Sequence, residues 1–89
     1  MNYRVAWTPS AQRHLANIWL ASADRGTVTS AAAQIDAHLQ TDPQDQGESR
    51  HGTVRILICR PLGVLYEVVD DDRTVYVIAA WTTVRAQES

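Results

Sequence analysis

Tyr3-Arg4-Val5-Ala6-Trp7 alternates apolar and polar positions and is rich in strand formers, so the chain is expected to open on a short strand. Thr8-Pro9 follows and predicts a helix start. The threonine hydroxyl can accept from a free first-turn amide, and proline lacks an N–H that would be unpaired there anyway. Ala11, Leu15, Ile18 and Ser22 then recur at helical spacing, with Trp19 four residues after Leu15, predicting an amphipathic helix from Pro9 to Ala23. Asp24-Arg25-Gly26-Thr27 breaks the pattern. Val28, Ala31, Ala32, Ile35 and Leu39 mark a second helix, which must stop near Thr41 because Pro43 disfavours helical backbone at Asp42.

Residues 43–52 are polar and punctuated by Gly47 and Gly52, and are read as a loop. Beyond them the period changes to two. Val54, Ile56 and Ile58 share one face of a strand, with Arg55, Leu57 and Cys59 on the other. Arg60-Pro61-Leu62-Gly63 turns the chain, Val64 to Val69 is the next strand, Asp70-Asp71-Asp72-Arg73 a second turn, and Thr74 to Trp81 the last strand. Short links between consecutive strands imply an antiparallel meander. The predicted order, β-α-α-β-β-β, is a two-layer α+β fold with both helices on one face of a mostly antiparallel sheet, a single domain over residues 1–89. The opposite sheet face is then open and available for function.

Composition narrows this picture. There is one cysteine, Cys59, so no disulfide framework and no all-cysteine metal site. The start carries no apolar signal stretch, and the longest apolar run, Tyr76 to Trp81, is too short to span a bilayer. The expectation is a soluble, cytoplasmic protein without membrane contact. Net charge is −2, and all eight basic residues are arginine. Residues 1–49 hold three arginines against five carboxylates, whereas residues 50–89 hold five of each. The overall field therefore does not attract polyanions, and any nucleic acid must be met by a local arginine cluster. Lysine-based chemistry is excluded.

Among candidate chemical groups, Asp70 to Asp72 lack the alternate spacing, glycine and distal glutamate of a calcium loop, and read as a solvated turn with Arg73 offsetting charge. His14 and His38 fall beside the apolar stripes of their helices and read as helix-surface residues. His51, next to Arg50 and leading into the sheet, is a candidate general acid or base. Arg55, Arg60 and Arg85 are the candidate cations: Arg60 sits before proline at a strand end, and Arg85 follows the last strand and can fold back over the open face. Grouped there, guanidiniums would grip a phosphodiester or stabilise charge developing on phosphorus. The competing reading pairs Arg55 with Glu67 on the neighbouring strand. Trp7, Trp19 and Trp81 read as core or rim packing, or as a partner site if they share one exposed patch. No Walker loop, GxGxxG, GxSxG, HExxH or CxxC occurs, and neither cofactor nor metal is expected.

Several strings in this order resemble the RelE/ParE superfamily of bacterial type II toxin–antitoxin toxins, of the plasmid stabilisation type. They are Trp7-Thr8-Pro9 with Leu15, Ile18 and Trp19; Gly52-x-x-Arg55-x-Leu57; Val64-Leu65-Tyr66-Glu67-Val68; the Asp70–Asp72 turn; and Val75-Tyr76-Val77-Ile78 leading towards Arg85. The resemblance implies a toxin neutralised by an antitoxin protein whose helical segment wraps it. One branch of the superfamily cleaves messenger RNA on the ribosome without a metal, and the other poisons DNA gyrase; a homologue that only binds is a third form. Carried over residue by residue, Arg55, Tyr66 and Arg85 match functional positions. The arginine before the Val-Leu-Tyr strand falls at Gly63, and the histidine after the last strand falls at Thr82. Arg60 and His51 are the residues that would have to substitute.

Overall fold

A computed structural model describes residues 2–44 and 48–83, the side chains of residues 48–51 excepted. The elements are β1 (Arg4–Trp7), α1 (Pro9–Ala21), α2 (Arg25–Thr41), β2 (Glu48–His51), β3 (Val54–Cys59), β4 (Leu62–Val69), a 3-10 turn (Asp70–Asp72) and β5 (Thr74–Thr82). They build one five-stranded sheet in the order β1-β5-β4-β3-β2, with β1 parallel to β5 and every other pair antiparallel. The two-layer α+β architecture is the one expected from the pattern. The fifth strand is not: residues 48–51, expected as loop, pair with β3. A polar edge strand faces water on its outer side and has no hydrophobic alternation to announce it. Its hairpin turns on Gly52, whose φ of +58° is the left-handed backbone that glycine supplies at the first central position of a two-residue turn.

The helix ends follow local chemistry. Thr8 accepts from the Ala11 amide at 3.2 Å, and Pro9 opens α1 as expected. The helix stops at Ala21, two residues short of expectation, because Ser22 is already extended. Arg25 then donates to the Trp19 and Leu20 carbonyls while stacking over the Trp19 ring at 4.7 Å, supplying partners to carbonyls of the last turn. Asp24 caps α2 by accepting from the Thr27 amide and hydroxyl at 3.1 and 2.6 Å, and these bonds hold its carboxyl below the ordinary carboxylate range.

The core lies between the helices and one sheet face. Ala11 of α1 and Val28, Ala31, Ile35 and Leu39 of α2 meet Leu57, Leu62, Val64, Tyr66, Val68, Val75, Val77 and Ala80, all buried. Leu57 pairs across the sheet with Val64, and Val68 with Val75, so one parity of each strand supplies this layer. A register shift between Leu65 and Tyr66, opposite Ile78, moves the inward set of β5 from Val75 and Val77 to Ala80. Beyond the end of β1, the outer edge of β5 is tied down by α1. The Thr8 amide donates to the Val77 carbonyl at 3.0 Å, and the Ala80 amide donates to His14 Nδ1 at 3.2 Å. His14, expected as a plain surface residue, is exposed yet holds the sheet edge.

Candidate functional site: the open sheet face

The other parity of the same strands faces away from the helices. It carries Val54, Ile56 and Ile58 of β3, Gly63, Leu65 and Glu67 of β4, and Tyr76, Ala79 and Trp81 of β5. Ile58 and Tyr76 are exposed, at 46% and 36%. At the end nearest the β3–β4 turn, Gly63 pairs with Ile58 on one side and Trp81 on the other. A Cβ at Gly63 would lie 2.6 Å from Trp81 Nε1, 2.7 Å from Trp81 Cε2 and 2.9 Å from Ile58 Cδ1. The indole therefore lies over the glycine and against isoleucine, a packing that any side chain at position 63 would displace. A glycine inside an otherwise bulky strand signals such an approach. That signal was present at Gly63 in the sequence.

Of the candidate arginines, Arg55 does not lie on this face. Arg55 shares the parity of Leu57 and Cys59 and stands on the helix-covered side, opposite Tyr66. There it hydrogen-bonds the Tyr66 hydroxyl, which itself donates to the Pro43 carbonyl at 2.8 Å. Burial pushes the Tyr66 phenol up, and Arg55 pulls against that shift. The alternative pairing of Arg55 with Glu67 is not formed either. Glu67 points to the opposite face and accepts from the Thr53 hydroxyl at 3.1 Å. Arg60 is exposed in the turn after β3, about 17 Å along the strand from Arg55. His51 lies in β2, with its side chain outside the described residues, and Arg85 lies outside them altogether.

Residues 5–86 match the family described as the ParE toxin of the type II toxin–antitoxin system, parDE. The chain belongs to the ParE toxin family. No curated protein matches it. Solved structures share the fold at low identity. The Mycobacterium tuberculosis RelBE2 toxin–antitoxin complex aligns with a TM-score of 0.74 at 19% identity, over 92% of this chain and 99% of that one. The chromosomal ParDE system of P. aeruginosa gives 0.69 at 17%, over 92% and 97%. A free E. coli RelE double mutant gives 0.70 at 13%, over 98% and 90%.

Within this ParE-family fold, the two positions singled out by the resemblance lie on opposite faces. Gly63 is under the indole on the open face, whereas Thr82 sits at the exposed end of β5 with the inward parity of Ala80. The other indoles have partners on the helical side. Trp7 Nε1 donates to Asp36 at 2.8 Å and Trp19 Nε1 to Thr29 at 3.2 Å, so the three tryptophans do not form one patch. The Cys59 thiol donates to Gln34 at 3.1 Å, and burial raises its pKa, making it a poor nucleophile. Among the described residues, no three His, Cys, Asp or Glu side chains are grouped to hold a metal, and no helix is long and apolar enough to cross a membrane. The acidic turn is more than solvated. Asp70 accepts from Tyr3 Oη and Gln44 Nε2, both at 2.7 Å, while the Arg73 guanidinium lies 4.8 Å from the Tyr3 ring centre.

Proposed function

We propose that this toxin acts by gripping a protein, DNA gyrase being the target known for the ParE branch, and not by cutting RNA. The observation that carries the reading is the packing of Trp81 over Gly63 on the open face. Metal-free RNA cleavage needs a base for the 2′-hydroxyl, an acid for the leaving oxygen and a cation beside the phosphorane. At the place where the ribonuclease branch carries an arginine, this chain presents an indole edge and an isoleucine. Arg55 is engaged on the far side of the sheet. A net charge of −2 adds no long-range pull on RNA. An apolar patch with aromatic and branched side chains fits a protein surface. The similar M. tuberculosis RelBE2 and P. aeruginosa ParDE structures are toxin–antitoxin systems, which supports an antitoxin as the neutralising partner here.

The test compares two assays on the purified chain. Inhibition of gyrase supercoiling, with transcripts left intact in a translating extract, is the expected result. Cut transcripts with gyrase unaffected would overturn the reading in favour of the ribonuclease. Harmless overexpression without any antitoxin would overturn it in favour of a homologue that only binds.

A further inference from the structure

We draw no further inference here: the strongest candidate, the apolar groove between α1 and α2 lined by Trp7, Leu15, Trp19, Val28 and Ala32, is an unpartnered face, and nothing in the structure shows what covers it.

Discussion

The two faces of the sheet are made by the same strands, yet they reach packing by different means. On the covered face, size and alternation suffice. Leu57, Val64, Val68, Val75 and Val77 project into a layer that α2 closes with Val28, Ala31, Ile35 and Leu39. On the open face no helix arrives among the described residues, and the strands cover themselves, with an indole laid across a glycine and an isoleucine beside it. The polar chemistry divides in the same way. The covered side keeps an arginine, but binds it to a tyrosine hydroxyl at the margin of the core. The open side lacks that arginine and keeps flat apolar area. A cationic group read along a strand can thus end on the helix-covered face.

The largest effect expected is on the covered face. Ile35 is fully buried at the centre of the α2 stripe. Ile35→Ala should cost about 2–5 kcal/mol, through lost burial plus an unfilled cavity. Urea unfolding monitored by circular dichroism checks this; a loss below about 1 kcal/mol would mean the helical layer does not close on the sheet as described. Next comes Gly63→Val, which introduces a Cβ where Trp81 now lies. Overpacking of this kind typically costs about 1–3 kcal/mol, and tryptophan fluorescence should shift as the indole is expelled. An unchanged spectrum would show that the open face is looser than its contacts imply. Ile58→Ser is the converse case. Ile58 is 46% exposed, so stability should change by less than about 1 kcal/mol. Gyrase inhibition should nevertheless weaken by roughly tenfold or more if this patch forms a contact centre. Undiminished inhibition would move the contact surface elsewhere.

The comparison also explains what could be read from the residues alone. Helical spacing placed α1 and α2 because burial on one side imposes a stripe, and Thr8, Pro9 and Pro43 marked ends through backbone chemistry. Strand parity placed Val54, Ile56 and Ile58 on one face and Arg55, Leu57 and Cys59 on the other, as observed. Parity does not say which of the two faces the helices choose. Both sets hold large apolar residues, and for that reason Arg55 was expected among open-face guanidiniums. The strand at residues 48–51 escaped because an edge strand needs only backbone pairing with β3. Gly63 was visible as a departure from the family pattern, but its occupant is eighteen residues downstream, brought beside it by antiparallel register.

The smallest effect concerns the fastening of the helical cover to the sheet. Asp70, in the turn between β4 and β5, accepts from Tyr3 just before β1 and from Gln44 just after α2. The Tyr3 bond, then the Gln44 bond, hold the Asp70 carboxyl below its ordinary 3.8. As pH falls, the unfolded chain therefore takes up its proton first. The clasp's contribution is present in full above about pH 4 and is lost as pH drops through the lower folded value. Tyr3 behaves in the mirror sense. The bond to Asp70 raises its phenol above 10.0, so its contribution is complete below that value and fades as pH rises through the folded one. Asp70 and Gln44 are exposed and Tyr3 is only partly buried, which keeps the effect small. Melting temperatures measured from about pH 2 to 11 should show a plateau between the two limits. Asp70→Asn should lower the plateau slightly and flatten its acid edge, because an amide presents one donor where the carboxylate had two acceptors. A profile unchanged at both edges would show that Asp70 does not fasten the two layers, and that the covered face is held by its apolar contacts alone.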